Sequence, residues 1–134
     1  MGQEFNTTFQ ELTVYQMAFE AAMKLYWLLP PAAAEDSSCT SLVAAAQQVC
    51  AHLAEAWGKR RCGEAFVAKL NEAETKAAAV QTWLAFAVEC GHLNADEGLA
   101  HSDCYGTIFA LLGELIDNAD RWVLSPESVD GVWS

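Results

Sequence analysis

Between Asp36 and Lys59 the chain carries a single formal charge, Glu55. The apolar residues of this stretch recur at alternating steps of four and three, as one face of a helix does: Leu42, Ala46, Val49, Leu53 and Ala56. A helix without a charged face has to be covered by other protein on most of its sides. We therefore predict a helix over about residues 40–57 that lies at the centre of the fold.

A second stretch repeats the same spacing over a longer distance. Its apolar positions are Phe66, Leu70, Ala73, Ala77, Val80, Leu84 and Ala87. Gly91 follows at a position where a helix end favours a residue that tolerates positive φ. These features predict a helix over about residues 64–90, and Gly58 is expected to end the preceding helix in the same way.

Two further helices are predicted on either side of this pair. Thr13 with Gln16 has the pattern of a capping box that starts a helix over residues 13–29, and Pro30 ends it. Asn94 with Glu97 has the same pattern before a helix over residues 95–123.

The chain shows no alternation typical of strands, and the predicted helices are joined by short turns. We therefore predict an all-α fold, an up-down-up-down antiparallel four-helix bundle, as a single domain over residues 1–134 with a flexible tail at 125–134.

The composition suggests that this bundle does not remain a monomer. Of 134 residues, 53% are hydrophobic and 19% are charged, which is more apolar surface than a domain of this size hides. We therefore expect a homo-oligomer. The net charge of −11 disfavours nucleic acid as a partner and argues against anionic membranes.

The cysteines and the N-terminus bear on the compartment. Five cysteines without a Cys-x-x-Cys pair are typical of buried apolar residues in a reducing environment. The first residues lack the basic and apolar segments of a signal peptide. The uncharged run contains Ser, Thr, Gln and His, so we expect a buried helix rather than a membrane span. The expected location is the cytoplasm.

The turn after the central helix concentrates three of the seven basic residues, Lys59, Arg60 and Arg61. They are interpreted either as cations that complement the helix dipole, or as a contact for an anion, RNA or a partner protein. Glu55 is expected to pair with one of these cations or with His52, and the remaining bases are expected to face outward. The candidate binding residues are thus His52, Glu55, Lys59, Arg60 and Arg61.

Metal binding and catalysis find little support in the sequence. His52 with Glu55, and His101 with Cys104, could each share a helix face, but a di-iron bundle needs two Glu-x-x-His motifs and two further glutamates. Cys62 lies beside three cations, yet no nucleophile set with a recognisable context accompanies it. We expect a non-enzymatic protein with no metal and no cofactor.

Several motifs resemble one known family over about residues 9–123. They are Phe9-x-x-Leu12-x-Val14-Tyr15-Gln16-x-Ala18, the turn Leu53–Lys59, Phe66-x-x-x-Leu70-x-x-Ala73, and Trp83-Leu84 running to Cys90-Gly91-His92-Leu93. The chain resembles the four-helix-bundle proteins encoded in intervening sequences of bacterial 23S ribosomal RNA genes, whose corresponding turn reads Asn-Ile-Ala-Glu-Gly-Phe-Gly-Arg.

The resemblance implies a four-helix bundle that assembles as a ring, usually a pentamer, with a poorly defined role. Related accessory proteins of diversity-generating retroelements form basic rings that bind RNA and a reverse transcriptase. This chain has Val43 and Ala44 where the family tends to have an arginine pair, and His52 and Ala56 in place of the family's Asn and Gly. Two acids of the family's third helix are Ala79 and Gln81 here.

Two function classes follow from the residues and the resemblance together. The preferred one is a structural or adaptor ring of unknown specific role that binds a protein partner. The alternative is a nucleic-acid-associated accessory protein of a mobile or diversity-generating element, which binds RNA or a reverse transcriptase.

Overall fold

The computed structural model describes residues 7–124, apart from the side chains of residues 31 and 32, and is all-α over that range. Its helices are α1 (Thr13–Leu28), α2 (Ser37–Gly58), α3 (Gly63–Glu89) and α4 (Ala95–Asp117), with 3-10 turns at Phe9–Glu11, Pro31–Glu35 and Ala119–Arg121. No strand occurs among residues 7–124, so the prediction of an all-α fold with four helices is confirmed. The predicted tail at 125–134 lies outside the described residues.

The four helices surround one apolar core. Helix α3 packs extensively against α2 and α4, and α1 contacts the same two helices. Every residue of the two predicted helical seams is buried, including Leu42 and Leu53 on α2 and Leu70 and Leu84 on α3. The alternating four-three spacing therefore identified the inward faces of α2 and α3 correctly.

The start of α2 and the capping residue of α1 differ from the prediction. Helix α2 begins at Ser37, because the Asp36 carboxylate accepts hydrogen bonds from the backbone N–H groups of Ser38 (2.8 Å) and Cys39 (3.3 Å). The predicted start at residue 40 missed this acidic cap. In α1 the N-cap position belongs to Leu12, which makes no side-chain capping bond, so the prediction that Thr13 caps the helix was wrong.

The capping box that precedes α4 is confirmed. The Glu97 N–H donates to Asn94 Oδ1 at 2.8 Å, and the Asn94 N–H donates to Glu97 Oε1 at 3.1 Å. At its other end α4 stops at Asp117 rather than at residue 123, and the 3-10 turn Ala119–Arg121 takes over. The apolar residues of this last segment still pack on the core.

The two glycines at helix ends behave differently. Gly91 has φ of 82° and follows α3. Its N–H donates to the Val88 carbonyl (3.0 Å), and the His92 N–H donates to the Ala87 carbonyl (2.9 Å), which is a Schellman motif. Gly58 remains the last residue of α2, and positive φ within residues 7–124 is confined to Gly91. The expectation for Gly58 was therefore wrong.

Candidate functional site

The outer face of α1 carries four of the seven large exposed hydrophobic side chains among the described residues. Phe19, Met23, Tyr26 and Trp27 recur along this helix and are all exposed, Trp27 by 75%. The rings of Tyr26 and Trp27 meet edge to face at a centroid distance of 5.0 Å. We call these four residues the aromatic face. Exposed aromatic clusters of this kind mark interaction surfaces more often than isolated apolar residues do.

A groove of about 530 Å³ opens beside the aromatic face, where α1 ends and α2 begins. Apart from a few polar groups, its lining is apolar: Tyr26, Trp27, Leu29, Pro30, Ala33, Ala34, Cys39, Thr40, Val43, Ala44 and Gln47. The groove extends the aromatic face onto α2, because Tyr26 and Trp27 belong to both. The two together form one continuous apolar surface at this part of the bundle.

A second, smaller apolar patch lies on α3. Phe86 is exposed, and its ring is 5.6 Å from that of the half-buried Trp83. A shallow depression lined by Ala78, Gln81, Thr82, Ala85, Phe86 and Glu89 accompanies it. Helix α1 packs on α2 and α4 rather than on α3. The protein thus presents apolar surface on α3 as well as on α1.

The basic turn between α2 and α3 divides into outward and inward residues. Lys59 and Arg61 are exposed, as expected, whereas Arg60 is only 7% exposed. The Arg60 guanidinium carbon lies 4.2 Å from the centroid of the Trp57 ring, and its Nε donates to the Trp57 carbonyl at 3.2 Å. Burial lowers the pKa of Arg60 through desolvation of the charged form. The expectation that the bases not paired with Glu55 all face outward was therefore wrong for Arg60.

Arg60 belongs to an aromatic cluster that links both ends of the described chain. Trp57 packs against Trp122 at 5.2 Å and against Phe66 at 6.1 Å, measured between ring centroids. The indole Nε1 donates to the Thr7 carbonyl at 2.7 Å, and the Leu124 N–H donates to the Arg60 carbonyl at 2.8 Å. The turn that the sequence suggested as a binding patch is thus partly a structural anchor.

The other two candidate residues take part in an ionic network between α2 and α3. His52 Nδ1 lies 2.8 Å from Glu55 Oε1 and 3.4 Å from Glu72 Oε2. Lys69 Nζ lies 2.9 Å from Glu72 Oε2 and 3.7 Å from Glu55 Oε1. Of the expected partners of Glu55, the structure places His52 in contact, and it adds Lys69, which the sequence did not suggest.

This network responds to acid in a defined direction. The hydrogen bond from Lys69 lowers the pKa of Glu72 and raises that of Lys69. Because the pKa of Glu72 is depressed on folding, the stability it contributes is present at neutral pH and is lost as the pH falls through the folded-state value. Glu55 and Glu72 are both exposed, so solvent weakens these pairs and their contribution is small.

A third polar cluster lies where the start of α2 meets the exit of α3. His92 Nε2 is 3.2 Å from Asp36 Oδ2, and the buried thiol of Cys39 completes a set whose three donor atoms all lie within 4.8 Å of one another. The hydrogen bond from His92 lowers the pKa of Asp36, helped by the backbone N–H groups that it caps. Burial raises the pKa of the Cys39 thiol, and the nearby Asp36 and Cys90 act in the same direction.

Most of this chain matches a known protein family. The family model of the 23S rRNA-intervening sequence proteins matches residues 10–114 of this chain. The chain belongs to this family. The assignment agrees with the resemblance carried by the motifs of α1, the α2–α3 turn and α3.

A solved structure supports the fold of this family member. It is the crystal structure of a protein with unknown function from the S23 ribosomal protein family of Bacteroides thetaiotaomicron VPI-5482. The two share a TM-score of 0.70 at 19% sequence identity, over 78% of this chain and 95% of that one. No curated protein matched the chain. Within residues 7–124, no helix combines the length and apolar character needed to cross a membrane.

Three positions that the family resemblance singled out can be located in the structure. Val43 and Ala44, where the resemblance implies an arginine pair, line the apolar groove beside the aromatic face. His52, where the resemblance implies an Asn, lies in the ionic network, with its Nδ1 3.4 Å from Glu72 Oε2 on α3.

The sequence analysis missed Asp36, Cys39 and His92. Their signal consists of two short motifs, Asp-x-x-Cys at the start of α2 and Cys-x-His after α3, about fifty residues apart. Neither motif alone is typical of a metal site. The residue pairs considered for metal binding lie elsewhere: His52 with Glu55, and His101 with Cys104. The cluster becomes visible only when the start of α2 and the exit of α3 are seen to meet.

Proposed function

We propose that this chain is a non-enzymatic structural or adaptor protein, whose up-down-up-down bundles assemble into a closed ring, a pentamer by its family resemblance, and bind a protein partner in the cytoplasm. The single observation that carries the proposal is the aromatic face of α1 with its adjoining groove. A closed ring of more than two copies needs two different complementary patches on each copy. The aromatic face of α1 and the Phe86 patch of α3 are our candidates.

The physical argument starts from the exposure of the four side chains. Phe19, Tyr26 and Trp27 each leave half or more of their surface in water. Covering apolar surface is favourable by roughly 25 cal/mol per Å². Aromatic side chains are also the residues that dominate the energetics of protein interfaces. A second copy of the chain, or a protein partner, is therefore a more favourable neighbour for this face than water.

The charges argue for protein rather than nucleic acid at this surface. The chain has 18 acidic and 7 basic residues, and one of the three bases of the basic turn is buried against Trp57. Lys59 and Arg61 remain exposed, but two cations per chain neutralise few phosphates. The positions where the family tends to have arginines contribute valine and alanine to the groove.

The mass of the protein in solution tests the proposal. Light scattering at micromolar concentration should give a multiple of the 14.6 kDa chain mass. The double substitution Phe19→Lys with Trp27→Lys should reduce the mass to that of one chain, because it places two charges on the aromatic face. The control Thr107→Lys changes an exposed polar residue of α4, outside both apolar patches, and should leave the assembly unchanged. A monomeric wild-type protein, or an assembly that survives the double substitution, would contradict the proposal.

A second experiment separates the two function classes. Fluorescence anisotropy with structured RNA should show no binding at physiological salt. The double substitution Lys59→Ala with Arg61→Ala removes the exposed bases without touching Arg60. Binding that persists at physiological salt and disappears in this variant would favour the nucleic-acid alternative.

A further inference from the structure

The cluster of Asp36, Cys39 and His92 combines three different kinds of metal ligand at one end of α2 and α3. All three donor atoms lie within 4.8 Å of one another, and Asp36 Oδ2 and His92 Nε2 are already 3.2 Å apart. In tetrahedral zinc sites, with bonds of about 2.0 Å to N or O and 2.3 Å to S, the ligand atoms are about 3.3–3.5 Å apart. Only a small closing movement separates the observed cluster from that geometry.

The local structure allows this movement. Cys39 is held within the first turn of α2, whereas Asp36 precedes the helix and His92 is the last residue of the Schellman motif that ends α3. The Asp36 carboxylate uses Oδ1 to cap α2. This hydrogen bond orients the side chain so that Oδ2 is left for the cluster, which is the role that outer hydrogen bonds play around metal ligands.

The donor set selects the class of metal. A thiolate and an imidazole disfavour Mg²⁺ and Ca²⁺, which prefer oxygen ligands, and favour Zn²⁺. A further thiol, Cys90, lies two residues before His92 and is exposed. We propose that Asp36, Cys39 and His92 form a zinc site that ties the start of α2 to the exit of α3.

Zinc binding would replace the hydrogen bond between His92 and Asp36 with two metal–ligand bonds. Cys39 would release its proton to solvent, since the thiolate is the ligand, and His92 would coordinate as the neutral imidazole. The metal would then clamp two helix termini that are about fifty residues apart in sequence. Zinc affinity should accordingly rise with pH, and the bound metal should stabilise the fold.

Cobalt provides a direct spectroscopic test. The reduced protein, first stripped of metal with a chelator, is titrated with Co²⁺ and then with Zn²⁺. We expect one equivalent of cobalt per chain to produce the visible bands of tetrahedral Co²⁺ together with a thiolate-to-cobalt charge-transfer band, and zinc to remove both. Zinc should also raise the melting temperature of the wild-type protein.

Three substitutions assign the ligands. Asp36→Asn keeps a good helix cap but removes the anionic ligand, and His92→Gln removes the imidazole from a partly exposed position. Each should weaken zinc binding by at least about 10-fold, because even the loss of a residue that only hydrogen-bonds to a metal ligand typically costs that much. Cys39→Ala should abolish the charge-transfer band. Circular dichroism confirms folding, and if Cys39→Ala does not fold, His92→Gln decides.

The matched control uses a different histidine and cysteine, His101 and Cys104, which lie one turn apart on α4. His101→Gln and Cys104→Ala should leave the metal stoichiometry, the cobalt spectrum and the zinc-induced rise in melting temperature unchanged. A wild-type protein whose cobalt spectrum lacks the thiolate band, or a His92→Gln variant that binds zinc as tightly as the wild type, would overturn the proposal. The spectrum reports on the metal in any assembly state, so this test and that of the ring can fail independently.

Discussion

The inner face of α3 and the outer face of α1 contain similar apolar side chains at helical spacing, yet their surroundings are opposite. Phe66 and Leu70 on α3 are completely buried, while Phe19 and Trp27 on α1 remain largely exposed. Helical periodicity shows that an apolar face exists, but it does not show what covers that face. On α3 the covering comes from α2 and α4 of the same chain, whereas nothing within residues 7–124 covers the outer face of α1.

The largest expected effect concerns the buried side of this comparison. Leu70→Ala removes a fully buried side chain from the centre of α3 and should lower the free energy of unfolding by about 2–5 kcal/mol. The exposed Thr75 on the same helix provides a control, since Thr75→Ala should change it by less than about 0.5 kcal/mol. Denaturant titration measures both. A loss below about 1 kcal/mol for Leu70→Ala would mean that the seam is not the core.

A second prediction tests how closely α4 approaches α3. A Cβ atom at Gly98 would collide with Cγ2 of Val88, a branched side chain with little freedom to move. Gly98→Ala should therefore destabilise the protein by about 1–3 kcal/mol. At Gly106 the same Cβ would lie 3.5 Å from Gln81 Nε2, an ordinary contact.

Gly106→Ala thus serves as the matched substitution. It should be neutral or stabilise the protein by up to about 1 kcal/mol, because alanine favours the helix. Thermal unfolding of the two variants side by side measures the difference. If both behave alike, helix propensity rather than the approach of α4 to α3 controls these positions.

The basic turn offers a smaller contrast between buried and exposed residues of the same charge. Arg60→Ala should cost about 1–3 kcal/mol, since it removes the guanidinium from the Trp57 ring and a hydrogen bond to the Trp57 carbonyl. Lys59→Ala, at an exposed neighbour, should change stability by less than about 0.5 kcal/mol. Chemical denaturation separates the two, and equal effects would show that Arg60 does not act as an anchor.

The smallest effect on the single chain is expected at the aromatic face. Trp27→Ala should change the stability of the isolated chain by less than about 0.5 kcal/mol, because that side chain is 75% exposed. Its effect should instead appear in how the unfolding midpoint depends on protein concentration, which only an assembling protein shows. If the unfolding midpoint of the wild-type protein does not depend on protein concentration, no second copy of the chain covers the aromatic face of α1.

Much of the helical framework was predictable because its signals are local. The Asn94–Glu97 capping box and the Gly91 helix end each involve residues within a few positions of one another, and both were predicted correctly. The failures at Thr13 and Gly58 occurred where a residue of the right type lay beside a helix end without adopting the capping geometry. A single residue's preference is weaker there than a reciprocal pair of hydrogen bonds.

The candidate site was less predictable, and the reason is distance along the chain. His52 and Glu55 were recognised as a pair because one helical turn separates them. The contacts that Lys69 and Glu72 on the next helix make with this pair were not predicted, because those residues are distant from it in sequence. Arg60 was interpreted as an outward-facing base from its neighbours in sequence. Its burial depends on where Trp57 and Trp122 meet, and no residue close to Arg60 in sequence announces that contact.

The sequence by itself determined four helices and the inward faces of α2 and α3, since helix periodicity repeats every few residues and needs no knowledge of the partner. Only the tertiary structure decided that Arg60 lies against Trp57, that α4 approaches α3 at Gly98, and that Asp36 and Cys39 meet His92. Each of these contacts depends on the rotation and offset of one helix against another. Those two quantities result from packing the whole core at once, so no short stretch of sequence contains them.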